Sequence, residues 1–213
     1  MVVTDCDFQF GGQNGRAVET SDISVTRIRT FIGVDVGRVI RDRLVALQAT
    51  LGQAGTDVKW VEATNLHVTL LFLGEVEDRQ IAQICAMVAE TTAAHQSFQL
   101  SVERAGCFPT PRRPRILWAG IGNGADALVA LHGDLEKPLT KLGYRREERR
   151  YKPHITLGRV RSSAPADGLA KALAQQATWK GGETLVRELH VMSSELTSRG
   201  PNYTILSRAP LAS

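Results

Sequence analysis

Short β-branched or alternating runs and longer stretches with an apolar residue every third or fourth position follow one another along this chain. The runs Phe31 to Val36, Asp57 to Val61, Val68 to Leu73, Phe98 to Val102, Arg115 to Ile121, Ile155 to Val160 and Leu185 to Leu189 predict strands. Between them, Arg38 to Leu51 places Val39, Ile40, Leu44, Leu47 and Leu51 on one side. Asp78 to Ala94 does the same with Ile81, Ile84, Cys85 and Val88, Ala125 to Pro138 with Leu128, Leu131 and Leu135, and Pro165 to Ala177 with Leu169, Ala172 and Leu173. These four stretches predict helices. Gly74 and Glu75 end the third strand, and Asp78 is placed to cap the helix after it. Phe108 to Pro114 has prolines at 109, 111 and 114 and predicts a rigid connection between the two halves of the chain.

One four-residue word occurs twice. His67-Val68-Thr69-Leu70 returns as His154-Ile155-Thr156-Leu157, 87 residues later, and in a strand the His and the Thr two positions on share a face. One copy alone reads most simply as a half-buried strand with a satisfied histidine, so the pair is judged by its surroundings. Shifting the chain by the same 87 residues brings the other predicted elements close to register as well. The chain thus reads as two diverged copies of strand, helix, His strand, helix, strand. Two units are too few for a solenoid. They predict a pair of lobes related by a pseudo-twofold, the first starting near Arg29, with the two His strands facing across a cleft.

Composition sets the bounds. With 213 residues and 43% hydrophobic content the chain has the make-up of an ordinary globular protein, and no apolar run approaches the roughly 20 residues of a membrane span. No secretory leader opens it, so a cytoplasmic location is expected. Met1 to Thr26 has little periodicity and reads as an extension ahead of a single two-lobed domain over residues 27–213, although Phe8 and Phe10 could add an edge strand. Cys6, Cys85 and Cys107 are odd in number and without paired spacing, which predicts reduced thiols. No Cys or His pair has ligand spacing, so no metal is expected.

Charge then changes the picture. From Lys141 to Arg161 eight cations (Lys141, Arg145, Arg146, Arg149, Arg150, Lys152, Arg159 and Arg161) face only Glu147 and Glu148, a local balance of +6 in a chain of net +4. Arg145 to Arg150 taken alone fits a solvated loop equally well. Lys152 and Arg159 bracket His154, however, and a cationic surface around a candidate catalytic strand suits a phosphate-bearing ligand. Two imidazoles near neutrality suit phosphodiester chemistry, in which one takes a proton from the attacking oxygen and the other gives one to the leaving oxygen. The Thr69 and Thr156 hydroxyls and an arginine would hold the phosphate oxygens. His95, His132 and His190 are assigned to structure, Trp60, Trp118 and Trp179 to packing, and Tyr203 in the last strand to the border of the groove.

The paired motifs have specific neighbours: Trp60 and Asn65-Leu66 ahead of the first, Phe72-Leu73-Gly74-Glu75 behind it, and Lys152-Pro153 before and Gly158-Arg159 after the second. On these residues the chain, over roughly Arg29 to Leu206, resembles the two-histidine phosphoesterases, and within them the RNA 2',3'-cyclic phosphodiesterases, also called 2',5' RNA ligases. The resemblance implies an α+β fold of two lobes, each an antiparallel sheet backed by helices, with the motifs lining a central cleft. It implies metal-independent opening of RNA 2',3'-cyclic phosphate ends to 2'-phosphates without a cofactor, and reversible 2',5' joining in some members. It makes His67 the proton donor, His154 the base, Thr69, Thr156 and Arg159 phosphate ligands, and Phe72 a nucleobase platform; Lys152 and Tyr203 are further candidates. The expected partners are RNA ends, with the chain a monomer. Strict alternation turns Phe72 and Arg159 away from the histidine face. They reach the cleft only if the strands end or bulge, which Gly74 and Gly158 would allow; otherwise Phe72 is core. Two alternatives remain: the same chemistry on 2',5'-linked oligonucleotides or small cyclic phosphates, and an RNA-binding module without turnover.

Overall fold

The computed structural model describes residues 26–146, 149–161, 167–198 and 200–213, so the proposed extension, apart from Thr26, lies outside the described residues, as do Glu147 and Glu148. In chain order the elements are β1 (Arg27–Asp35), α1 (Gly37–Gly52), β2 (Val58–Trp60), a 3-10 turn (Ala63–Asn65), β3 (His67–Glu77), α2 (Asp78–Ala93), β4 (Phe98–Thr110) and β5 (Arg113–Ile121). There follow α3 (Ala125–Lys141), β6 (His154–Val160), α4 (Asp167–Gln175), β7 (Lys180–Val186), β8 (Glu188–Leu196) and β9 (Pro201–Pro210). Among the described residues no helix is long and apolar enough to cross a membrane.

All strand pairs are antiparallel, and the strands form one continuous sheet in the order β7-β4-β5-β6-β3-β1-β8-β9, with β2 against β6. The fold is the expected α+β arrangement of two lobes. β3, β1, β8 and β9 make one lobe, and β6, β5, β4, β7 and β2 the other. They meet where β3 and β6 share a single ladder pair, Val68 with Ile155. One face of the sheet carries the helices, and a single core forms between them from Ile32, Val34, Leu44, Val68, Leu117, Leu131, Ile155 and their neighbours. Val68 and Ile155 are both fully buried in that core.

The copies of the repeat correspond as expected (β1 to β5, α1 to α3, β3 to β6, α2 to α4), yet the copies are not the lobes. α1 leaves β1 and packs on β6, β7 and α4 of the other lobe, whereas α3 leaves β5 and packs on β3 and α2. Each copy therefore lends a helix to its neighbour. The run Leu185 to Leu189, expected to be one strand, is two: β7 ends at Val186, β8 starts at Glu188, and Arg187 alone turns the chain from one lobe into the other. The proline segment is likewise no link between lobes, because Phe108 to Pro114 forms the end of the β4–β5 hairpin with Thr110 paired to Arg113. Proline composition marks a turn but not what the turn joins.

Helix ends also differ in detail. Asp78 is the first helical residue, not the cap, and its N–H donates to Thr26 O at 3.0 Å. α3 runs past Pro138 to Lys141.

Leu44 lies wholly inside the core on the exchanged helix α1. Leu44→Ala is expected to lower unfolding free energy by about 2–5 kcal/mol, read as a lower urea midpoint at unchanged slope.

Candidate active site

Because Val68 and Ile155 point into the core, their neighbours His67, Thr69, His154 and Thr156 point to the open face of the sheet. Antiparallel register sets His67 across from Thr156 and Thr69 across from His154. The histidines stand on diagonal corners of a square, where a regular ladder separates the two residues by about 7–8 Å and their Cβ atoms by somewhat less. Both rings are held in the same way. His67 Nδ1–H donates to Asn65 O at 2.7 Å, and His154 Nδ1–H donates to Lys152 O at 2.7 Å, each two residues back. This fixes the neutral tautomer, leaving Nε2 as the atom that takes or gives a proton. The Thr69 hydroxyl donates to His67 Nε2 at 2.8 Å. An aromatic ring meets each imidazole edge-on: Tyr203 at His67 (5.4 Å, 88°) and Phe108 at His154 (5.3 Å, 86°). Gly33, beside Thr69 in the ladder, leaves room for the first ring, since a Cβ there would stand 3.2 Å from His67 Cδ2.

Phe72 and Arg159 do reach this face, and the register shows how. Gly33 pairs with Thr69 but Ile32 pairs with Leu71, so β3 has one residue more than β1 across Leu70–Leu71. Trp118 pairs with Thr156 but Leu117 pairs with Gly158, so β6 has one residue more than β5 across Leu157–Gly158. Each bulge turns two successive residues toward the core side and restores the outward face at the fifth position after the histidine. Phe72, expected to be core if no bulge formed, is 67% exposed beside Phe31. Gly158 sits inside its bulge as expected. Gly74 sits at a second register shift of β3, where Phe31 pairs with Phe72 but Thr30 with Gly74; the bulge that turns Phe72 outward comes earlier, on two leucines, and no glycine signals it.

A family model described as the 2'-5' RNA ligase superfamily matches residues 22–197. The chain belongs to that superfamily. It is 36% identical over 178 residues to an RNA 2',3'-cyclic phosphodiesterase of Methanothermobacter thermautotrophicus, covering 84% of this chain and 96% of the relative. A protein of the same name from Archaeoglobus fulgidus is 38% identical over 177 residues, covering 83% of this chain and 96% of that one. Among solved structures, TT0787 of Thermus thermophilus superposes with a TM-score of 0.73 at 27% identity, over 86% of this chain and 98% of its own. Escherichia coli LigT in apo form shares the fold at a TM-score of 0.69 and 24% identity, over 88% of this chain and 99% of its own.

In this member of the superfamily the exchanged helices brace the motif strands from behind. Gln48 of α1 lies buried, and its Nε2 donates at 2.8 Å to both Val61 O and Leu157 O, the second inside the β6 bulge. On the other side, the Tyr151 hydroxyl donates to Thr69 O at 2.9 Å, and its ring stacks on buried His132 of α3 (4.3 Å, 7°). Burial pushes that hydroxyl's pKa far up. Gln48 and His132 had one legible signal, a polar residue inside an apolar helical stripe. Of the other candidates, Lys152 enters the site through its carbonyl while its side chain is exposed, and Tyr203 sits against His67 and Phe31. Trp118, expected in packing, lies on the cleft side of β5 opposite Thr156 and beside Phe108. His95 pairs with Asp134 at 3.2 Å and His190 with Glu188 at 2.7 Å, both structural contacts.

Burial lowers the pKa of His67 against the raising effects of its Asn65 hydrogen bond and of Asp35, and burial lowers that of His154 against its Lys152 hydrogen bond. With folded values below the unfolded one, the unfolded chain binds more protons as pH falls through the region below about 6.5. The stabilising contribution of the neutral rings is present above that value and lost through the lower folded values. Stability by urea unfolding should therefore fall on acidification, and less steeply in a His67→Gln, His154→Gln double variant. Gln48→Leu strips Leu157 O and Val61 O of a buried donor. It is expected to cost about 1–3 kcal/mol in unfolding free energy and to lower kcat/KM in the same way as is expected of Arg159→Ala, with little further loss when the two are combined.

Proposed function

We propose that the chain hydrolyses RNA 2',3'-cyclic phosphate ends to 2'-phosphomonoesters, using its two imidazoles as acid and base and needing no metal. The observation that carries this is the square of His67, Thr69, His154 and Thr156 on one open sheet face, each imidazole pinned through Nδ1 so that Nε2 serves the cleft. The curated relatives named RNA 2',3'-cyclic phosphodiesterase support the choice of substrate.

In the proposed step a water attacks phosphorus while His154 Nε2 takes its proton. The bond from phosphorus to the 3' oxygen breaks, and His67 Nε2 gives that oxygen a proton. The phosphate stays on the 2' oxygen. Thr69, Thr156 and Arg159 hold the nonbridging oxygens as charge builds on them. The pseudo-symmetry is broken at one point that bears on this division of roles: burial lowers the pKa of both rings, but the ladder partner of His67 is Asp35, whose carboxylate partly opposes that effect, whereas the ladder partner of His154 is Gly120. If the 5'-hydroxyl of another RNA replaces water, the same step makes a 2',5' linkage. Phe72, exposed at the border of the square, offers a face on which the terminal base stacks. Cys85 and Cys107 are both free thiols, in keeping with a cytoplasmic place for the enzyme.

The test is turnover of an oligoribonucleotide ending in a 2',3'-cyclic phosphate, with excess chelator present and the product end identified. A 2'-phosphate is expected at an undiminished rate. His67→Ala and His154→Ala should each lower kcat by about 10²-fold or more. The wild-type pH profile should be bell-shaped, with two apparent pKa values that belong to the pair. A wild-type protein that binds this RNA and leaves it intact, as both variants do, would instead be a binding module.

A further inference from the structure

We infer that Lys59 forms a second phosphate subsite, for the backbone phosphate on the 5' side of the terminal nucleotide, and so makes this a site for RNA chains in preference to single nucleotides. The inference rests on the function proposed above. β2 lies along the same edge of β6 as β3 does, and takes over beyond the point where β3 and β6 part. Its three residues pair Val58 with Val160, Lys59 with Arg159 and Trp60 with Gly158.

The face on which Lys59 stands follows from its neighbours. A Cβ on Gly158 would stand 2.7 Å from Val58 Cγ1 and 3.0 Å from Trp60 Cε3, so those two side chains lie with Gly158 on the core side, and both pack against the core. Lys59 lies between them in sequence and projects to the opposite face, which is that of Arg159, Thr156 and His154. Both Lys59 and Arg159 are exposed, and among the described residues neither has a carboxylate partner.

Like charges directly across a ladder repel, so folding alone does not favour this pair. An anion between or above the two cations turns the repulsion into attraction. The reacting phosphate occupies the square, where Arg159 serves it as proposed above. Lys59 stands across the ladder from Arg159, in the line of β3 beyond the square, and an RNA chain leaving the reacting end along that line meets it. A nucleoside 2',3'-cyclic phosphate has no group to place there. A cyclic nucleotide with a 5'-phosphate, or any longer RNA, has one.

The experiment compares kcat/KM for three substrates: a nucleoside 2',3'-cyclic phosphate, the same compound with a 5'-phosphate, and an oligoribonucleotide with a cyclic end. In Lys59→Ala the ratio of either phosphate-extended substrate to the nucleoside compound should fall about fivefold to tenfold. The salt dependence of log kcat/KM for the oligonucleotide should become shallower by about 0.7. Lys59→Arg should restore both. Ratios equal to those of wild type, whether because no substrate is affected or because all three fall together, would overturn the subsite. Should wild type turn over none of the three, the proposed function fails separately. Binding of a 5'-phosphorylated oligonucleotide by fluorescence anisotropy then decides Lys59 alone: weaker binding by Lys59→Ala upholds the subsite, and unchanged affinity overturns it.

Discussion

One backbone pairing holds the arrangement together. Where Val68 meets Ile155, the two lobes become one sheet, and the residues on either side of that pair are the ones with chemistry to offer. Both partners are driven inward by the core, which leaves no freedom in the direction of the histidines and threonines next to them. The hydrophobic effect thus sets the orientation of four polar groups that it does not itself contact.

The rest of the fold defends that pairing from behind. Helices are exchanged between the copies, so the strand bearing one motif is backed by the helix that follows the first strand of the other copy's lobe. Gln48 and the His132–Tyr151 stack are the polar points of this bracing, and each ends on a carbonyl of a motif strand. Buried donors of this kind are exacting, since a carbonyl left without its partner inside the core is costly. The bulge in each motif strand is thereby built into the packing, and with it the outward turn of Phe72 and Arg159.

Much of this was legible in the sequence because the duplication repeats both the apolar periodicity and the four-residue word. The histidines, the threonines, the helices and the correspondence of the copies could all be read at one offset. The helix exchange could not: Leu44 and Leu131 announce buried faces, but an apolar stripe does not say which sheet it covers. The break at Arg187 was hidden because the turn there takes one residue and carries no glycine, proline or asparagine to mark it. The bulge at Leu70–Leu71 was invisible for a related reason, as leucine is equally at home in either half of a pleat, while Gly158 marked its counterpart. Lys59 is a single exposed cation in a three-residue strand, and only its ladder partner gives it meaning.

The passage from β7 to β8 through Arg187 alone has a mechanical consequence. A link one residue long, its carbonyl already engaged by Leu211 N at 2.8 Å, gives the halves no slack with which to swing apart. The gap between the imidazoles is therefore a property of the folded chain before any RNA arrives. For the function proposed above, such a slot would work as a fixed gauge for the phosphate, and not as a pair of jaws that closes on it.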